Sequence, residues 1–281
     1  MVHGRAPDHG DVSALYRRSP GWCITLGGNC AAVPVRLVST GPARRCAALT
    51  ERPDAVVFDV DGTLADTERD GHRPAFNEAF AAAGLPYRWD GDDYGALLAI
   101  TGGKRRIEHY LRDQGVPGQQ ADELATTLHA SKTERFIASV RAGSVPARPG
   151  LAELLDELRA AGVRLAVATT GTAGWVRELL DGLFGPDVFE LVLTGDDVPA
   201  LKPDPAVYQQ ALLQLELPAQ RVVAVEDSAN GVRAAVDAGL RCAVVTNDYT
   251  RDQDFSGATV VCDGFSRDSR RPLTAQLLLE S

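Results

Sequence analysis

Asp59 and Asp61 are the residues whose types and spacing point most directly to chemistry. They follow the short apolar run 55–58, which reads AVVF, and Gly62 comes directly after them. A run of this kind before a turn residue predicts a buried strand, and open α/β sheets bind ligands at the carboxyl ends of their strands. Because two carboxylates this close repel each other, they predict a bound cation or a charge that develops during a reaction.

Residues able to complete a charged site follow in order along the chain. Thr169 ends a second apolar run, Lys202 opens the sequence KPDP, and Glu226 with Asp227 ends a further apolar run. The chain therefore carries an acid pair, a hydroxyl, a cation and a second acid pair at successive strand ends or in nearby loops. Such a set suits Mg²⁺, which commonly bridges carboxylates to a phosphate.

The segments that must position these residues predict an α/β fold. Strand-like apolar runs near 165–168, 189–193, 222–225, 242–245 and 260–262 alternate with helical segments. Near-continuous apolar strands that alternate with helices predict a Rossmann-like parallel sheet covered by helices on both faces. We assign this core to residues 54–66 and 146–274. Residues 67–145 are polar with helical periodicity, which predicts a small α-helical domain inserted after the first strand.

Residues 1–53 differ from the rest of the chain. They contain seven arginines, no lysine and little helical or strand periodicity. An Arg-rich, acid-poor leader can be an organelle transit peptide, but this one lacks a clean amphipathic helix. We therefore favour a disordered extension, or translated sequence upstream of the true start, over a targeting signal. The expected location is the cytoplasm, or a plastid if the leader is a transit peptide.

Composition excludes several classes of partner. The net charge of −9 argues against a nucleic-acid or anionic-membrane surface, because both need clustered cations. No apolar run approaches the roughly 20 residues of a membrane span. We expect a monomer whose partner is a small molecule.

The order and spacing of the four motifs resemble the haloacid dehalogenase superfamily of phosphatases and phosphomutases, from about residue 54 to about residue 274. The resemblance implies that Asp59 is the nucleophile and forms an aspartyl-phosphate. Asp61 would be the general acid and base, a role for which we expect a raised pKa. Thr169 and Lys202 would bind the transferring phosphoryl group, and the neighbouring Thr170 can take the place of Thr169.

The same resemblance implies one bound Mg²⁺ ion as cofactor. Its protein ligands would be Asp59, the backbone carbonyl of Asp61, and Asp227, with Glu226 acting through water. A competing interpretation makes Glu226 and Asp227 a capping pair for the helix that follows. Capping and metal binding are compatible, so both interpretations stand.

Longer segments, around the four motifs and in the inserted domain, resemble one branch of the superfamily. These are DTERDGHR at 66–73, TGGK at 101–104, TTGT at 169–172 and EDSANG at 226–231. They resemble the CbbY group, the xylulose-1,5-bisphosphate phosphatases. This resemblance implies a phosphosugar substrate, xylulose-1,5-bisphosphate, which would lose its 1-phosphate to give xylulose 5-phosphate. It also implies that the inserted helical domain is a cap that closes over the sugar.

A bisphosphate needs a second anion site away from Asp59. Lys104 and Arg105, followed by Arg106, place successive cations after two glycines in the inserted domain, and we expect them to bind the distal phosphate. Further candidate substrate contacts precede this loop. Glu68 and His72 would contact sugar hydroxyls and Arg73 would assist phosphate binding.

Two other functions remain open from the residues alone. A phosphosugar mutase of the β-phosphoglucomutase type would share the fold and the phospho-aspartate, and would differ only in the lifetime of that intermediate. A non-catalytic phosphosugar-binding module would predict loss of Asp59, Asp61, Lys202 or Asp227, and all four are present.

Overall fold

The computed structural model describes residues 52–100 and 102–280 of the 281-residue chain. The predicted leader, residues 1–53, lies outside this range apart from its last two residues. Within the described residues the chain forms one six-stranded sheet of order β3-β2-β1-β4-β5-β6, in which every neighbouring pair is parallel. The strands are β1 Ala55–Phe58, β2 Arg164–Ala168, β3 Leu191–Leu193, β4 Val222–Glu226, β5 Arg241–Val245 and β6 Val260–Cys262. The predicted Rossmann-like parallel sheet is confirmed.

Helices cover this sheet and fill the segment after β1. They are α1 Arg73–Ala82, α2 Gly91–Leu97, α3 Gly103–Asp113, α4 Gly118–Arg141, α5 Leu151–Ala160, α6 Ala173–Phe184, α7 Ala206–Leu215, α8 Ala229–Asp237 and α9 Ala275–Glu280. Helix α9 lies beyond the predicted end of the core at residue 274, and its Leu278 is fully buried in the larger core cluster. No helix of the described ranges combines the length and the apolar character needed to cross a membrane.

The central strand β1 sets the position of the charged residues. Phe58 pairs with Val167 of β2 on one side and with Val225 of β4 on the other. The side chains of β1 are completely buried, alternately in two apolar clusters on opposite faces of the sheet. Burial on both faces explains why these strands are apolar at every position. Because the three strands are parallel and in register, the residues that follow them meet at one edge of the sheet.

Among the described residues between β1 and α5, every regular element is a helix and none is a strand. A short π-helical turn, Glu68–His72, leads into α1, and α1–α4 follow; we call residues 68–141 the helical insertion. It has an apolar cluster of its own that includes Phe80, Trp89 and Leu128. The sequence does not indicate helix α2, because two glycines and two acids in its seven residues obscure its apolar period. The carboxylate of Asp90 begins this helix by accepting a hydrogen bond from the Asp93 N–H at 2.9 Å.

Candidate active site

Asp59 stands one residue beyond β1, at the carboxyl edge of the sheet. Its backbone N–H donates to the carbonyl of Val225 at 2.9 Å, so the β1–β4 ladder fixes its position. Gly62 then turns the chain with φ +83°, and a Cβ at that position would lie 2.3 Å from Asp227 Oδ2. The turn after Asp61 therefore requires glycine, for its backbone angle and for the closeness of the second acid motif.

Lys202 reaches into this edge of the sheet and joins both acid motifs. Its Nζ donates to Asp59 Oδ1 at 2.6 Å, to Glu226 Oε1 at 2.6 Å and to the carbonyl of Ala168 at 2.8 Å. The side chain is buried. Burial by itself lowers the pKa of Lys202, but the charges of the two carboxylates outweigh it and the pKa is raised. Lys202 is therefore a permanent ammonium ion in the centre of the predicted site.

Glu226 is completely buried and held from several sides. Besides Lys202, the hydroxyl of Tyr208 donates to Oε1 at 2.5 Å, and the N–H of Asp227 donates to Oε2 at 3.3 Å. A Cβ on Gly231 would lie 1.9 Å from Oε2, so this carboxylate fits against the first turn of α8 only because residue 231 is glycine. These contacts orient Glu226 toward Lys202.

Three buried carboxylates form the best metal-binding group of the described residues. Asp59, Glu226 and Asp227 each offer an oxygen within 4.8 Å of the others. Burial raises the pKa of Asp59 to about 8; Lys202 opposes this rise, and the charges of Glu226 and Asp61 add to it. Burial and the charges of Asp59 and Glu226 raise the pKa of Asp227. Carboxylates crowded in this way have the chemistry of a Mg²⁺ site. The carboxylate of Asp61 is not one of the three.

Asp61 instead faces the helical insertion. Thr67 Oγ1 donates to Asp61 Oδ1 at 2.6 Å, and His72 Nε2 lies 3.5 Å from the same oxygen. Our expectation of a raised pKa is wrong for this structure. Burial alone would raise the pKa of Asp61, but hydrogen bonds from His72 and from the Thr67 hydroxyl, together with the charge of Lys132, lower it.

Lys132 is a residue that the motifs did not reveal. It is only 7% exposed, and its Nζ lies 2.8 Å from His72 Nδ1 and 4.9 Å from the ring centres of Phe76 and Phe136. An ammonium group can only donate, so His72 Nδ1 accepts and Nε2 carries the proton that faces Asp61. The sequence did contain a signal that Lys132 is buried, because it occupies one position of the otherwise apolar stripe of α4. The buried positions of this helix are 121, 125, 128, 132, 136 and 140.

Glu68 is held from within the helical insertion. The hydroxyl of Tyr94 donates to its carboxylate, and Arg106 Nη1 donates to the Tyr94 oxygen at 3.0 Å. Arg106 also donates through Nε to the carbonyl of Leu97 at 3.0 Å, and it is buried. Arg106, the third of the successive cations at 104–106, therefore positions Glu68 through Tyr94. The other two, Lys104 and Arg105, are exposed, and Lys104 Nζ lies 3.7 Å from Glu108.

The remaining residues of the predicted site differ in how far they are buried. Thr169 is buried at the end of β2, next to the Ala168 carbonyl that Lys202 contacts, and its Oγ1 accepts the Gly171 N–H at 3.0 Å. Thr170 is exposed. Arg73 is half-buried, and its charge acts on the hydroxyl of Tyr249, a residue outside our predicted site. The structure thus brings Thr169 to the acid motifs and places Arg73 against the chain that follows β5.

Arg148 is a second residue that sequence reasoning missed. It is 8% exposed, and its guanidinium donates to the carbonyls of Gly62, Val245 and Thr246 at 2.7, 3.0 and 2.7 Å. Its contacts tie the loop after β1 to the end of β5. Nothing in its surrounding sequence, VPARPG, indicates this role, because the three carbonyls are distant in the chain.

Comparison with known proteins agrees with this geometry. Residues 53–239 match the family model of the haloacid dehalogenase-like hydrolases. Protein CbbY of Cereibacter sphaeroides is 47% identical over 216 residues, which cover 76% of this chain and 93% of that protein. A CBBY-like protein of Arabidopsis thaliana is 41% identical over 223 residues, covering 76% of this chain and 70% of the plant protein.

A solved structure matches at the level of the fold as well. It is a mutant of CbbY from Rhodobacter sphaeroides in complex with xylulose-(1,5)bisphosphate, 45% identical, with a TM-score of 0.67. The match covers 76% of this chain and 96% of that one. The family match over residues 53–239 and the identity to CbbY proteins therefore show that the chain belongs to the haloacid dehalogenase-like hydrolases and is a phosphatase of the CbbY type.

Proposed function

We propose that this phosphatase uses Mg²⁺ and an aspartyl-phosphate at Asp59 to convert xylulose-1,5-bisphosphate to xylulose 5-phosphate and phosphate. The observation that carries the proposal is the buried carboxylate of Asp59, which shares one edge of the sheet with Lys202 and two further acids. The substrate is proposed from the CbbY relatives, one of which was crystallised with this bisphosphate. We also propose that the protein acts as a monomer in the cytoplasm.

Asp59 and Lys202 would carry out the first step. A carboxylate oxygen of Asp59 forms a bond to phosphorus while the bond from phosphorus to the sugar oxygen breaks. Lys202 holds Asp59 Oδ1, which leaves Oδ2 as the attacking oxygen, and its charge stabilises the transferring phosphoryl group. Mg²⁺, held by Asp59 and Asp227 with Glu226 nearby, would supply positive charge for the phosphoryl oxygens. Thr169 would contribute its hydroxyl.

Asp61 would move the protons. It gives a proton to the sugar oxygen as the ester bond breaks, and then takes one from the water that hydrolyses the aspartyl-phosphate. The lowered pKa of Asp61 in the free protein suits the second step. The first step needs a protonated Asp61, and the negative charge of the bound bisphosphate raises its pKa in the complex. His72 would keep its Nε2 proton directed at this carboxylate.

The pH dependence of turnover should report the charge of Lys132. Burial lowers the pKa of its ammonium group to about 8, against the opposing charges of Glu68 and Asp61. Below that pH the ammonium fixes the His72 tautomer, and above it this donor charge is lost, so kcat should fall as the pH rises through about 8. Lys132→Arg keeps its charge in this range and should lack this fall. If kcat falls equally with pH in the wild type and in Lys132→Arg, measured with one substrate, this role of Lys132 is wrong.

We further propose that the helical insertion forms most of a cap domain, residues 67–145. The core below it is the predicted one of residues 54–66 and 146–274, which α9 extends to residue 280. His72 lies beside Asp61 and Lys132 contacts His72, and both belong to the insertion, so closing the cap would assemble the site and exclude bulk water. Its exposed Lys104 and Arg105 would then bind the distal phosphate.

Lys104→Ala should raise KM for a bisphosphate much more than for a monophosphate. One charge-assisted hydrogen bond corresponds to a roughly 10- to 100-fold change in KM. The measurement is steady-state kinetics with xylulose-1,5-bisphosphate and with a small phosphate monoester. Arg112→Ala is the matched control, because Arg112 is an exposed cation at the other end of α3. An equal effect of Lys104→Ala on both substrates would contradict the proposal that Lys104 binds the distal phosphate.

A substrate panel tests the proposed function as a whole. Phosphate release and sugar products are measured with xylulose-1,5-bisphosphate, ribulose-1,5-bisphosphate and β-glucose 1-phosphate, with and without Mg²⁺. We expect Mg²⁺-dependent release and a strong preference for the xylulose compound. Conversion of β-glucose 1-phosphate to glucose 6-phosphate with little release would instead identify a mutase on the same scaffold.

A further inference from the structure

Tyr249 is a residue of the sheet domain that lies against the helical insertion. It follows β5, and its ring meets that of Tyr94 edge-on, with centroids 5.8 Å apart and an interplanar angle of 75°. Burial raises the pKa of its hydroxyl, and the charge of Arg73, at the start of α1, acts on this hydroxyl and opposes the rise. A Cβ on Gly95 would lie 3.3 Å from the Tyr249 ring, so α2 approaches this ring closely because residue 95 is glycine. Tyr249 therefore packs against α2, and the charge at the start of α1 lies near its hydroxyl.

The turn that carries Tyr249 is also attached to the metal-binding carboxylates. Asn247 Nδ2 donates to Asp227 Oδ2 at 2.7 Å, while Asn247 Oδ1 accepts the N–H of Tyr249 at 2.9 Å. The turn is closed by Asn247 N–H, which donates to Thr250 Oγ1 at 3.1 Å. One side chain thus contacts both Asp227 and the backbone of Tyr249. If this turn moves, the contacts of Asn247 with Asp227 and with Tyr249 both change.

Tyr94, which packs against Tyr249, also contacts Glu68, and Glu68 is predicted to bind the sugar. The Tyr94 hydroxyl donates to Glu68, and Arg106 fixes that hydroxyl from behind. A continuous set of contacts therefore runs from Asp227 through Asn247, Tyr249 and Tyr94 to Glu68. It connects the chemistry at the sheet edge with the sugar-binding side of the insertion, and neither the motifs nor the family resemblance assigned a function to Tyr249.

We propose that Tyr249 is a positioning residue that stabilises the closed cap and places Glu68 for a sugar substrate. The inference rests on the proposed phosphatase function and deepens it, because it names a residue that favours large phosphosugars over small phosphate esters. A small ester that lacks sugar hydroxyls and a second phosphate has no group for Glu68 to bind and gains less from closure of the cap. Loss of Tyr249 should therefore affect the two kinds of substrate differently.

The test compares Tyr249→Ala and Tyr249→Phe with the wild-type chain in the presence of Mg²⁺. For xylulose-1,5-bisphosphate, kcat/KM should fall roughly tenfold in Tyr249→Ala, the scale of one lost aromatic contact. For p-nitrophenyl phosphate it should stay within about twofold. Tyr249→Phe keeps the ring and should recover part of the loss. Asp252→Ala, an exposed change three residues away, is the control.

A second measurement does not depend on turnover. Tyr249→Ala should speed amide hydrogen exchange in α2, because this helix loses its contact with the sheet domain. Equal losses on both substrates would indicate general damage to the site and would overturn the inference, as would unchanged kinetics and unchanged exchange. A wild-type chain that releases phosphate from neither substrate would refute the proposed function, and the exchange result would still decide whether Tyr249 holds the cap.

Discussion

Replacing Asp59 with asparagine should abolish turnover and leave the fold intact. The amide keeps the shape of the side chain but loses the negative oxygen that would attack phosphorus, so kcat should fall by roughly four to six orders of magnitude. The fold should survive because the variant removes one of three crowded acids while Glu226 continues to balance Lys202. Phosphate release and the urea unfolding midpoint, measured on the same preparation, check both parts.

The matched control for this variant is Asp248→Asn. Asp248 is an exposed acid of the turn after β5, and its carboxylate lies 3.8 Å from Arg69. The control should keep activity near that of the wild type. Phosphate release by Asp59→Asn at a rate comparable to the control would contradict the nucleophile assignment.

Replacing Lys202 with methionine should remove activity and also destabilise the fold. The ammonium is the cation that contacts Asp59 and Glu226, and its loss leaves Glu226 fully buried with only neutral partners. Breaking a buried ion pair from one side costs about 3–5 kcal/mol. Urea unfolding of the variant should show a loss of this size, and phosphate release should fall to background.

A double variant separates the two effects of Lys202. Lys202→Met combined with Glu226→Gln also removes the orphaned charge, so its stability should be closer to that of the wild type. Its activity should stay at background, because no cation remains to hold Asp59. If Lys202→Met alone unfolds at the wild-type urea concentration, the buried ion-pair account of this site is wrong.

The arrangement of the predicted catalytic residues could be derived from the sequence because it depends on strand ends. β1, β2 and β4 are short apolar runs, and each is followed at once by a polar residue of the site: Asp59, Thr169 or Asp227. Parallel pairing in register then brings these residues together without knowledge of any side-chain contact. Predicting Lys202 also required the KPDP motif, because this residue lies on a loop and not at a strand end.

The contacts that the sequence could not reveal are those between residues far apart in the chain. Arg148 binds carbonyls up to 98 positions away in the chain, and Lys132 meets His72 across 60 positions. Periodicity and local motifs report neighbours along one element, so they contain no information on these pairs. The pKa of Asp61 failed as a prediction for the same reason, because its sign depends on Thr67, His72 and Lys132 around the carboxylate.

The aspartyl-phosphate at Asp59 is best tested by direct detection. Wild-type protein with Mg²⁺ is mixed with xylulose-1,5-bisphosphate, quenched in acid within milliseconds, digested and analysed by mass spectrometry, with Asp59→Asn as the control. We expect the peptide that contains Asp59 to gain one phosphoryl group during turnover and to lose it when substrate is exhausted. Rapid phosphate release with that peptide never modified, or with the phosphoryl group on another residue, would contradict the mechanism.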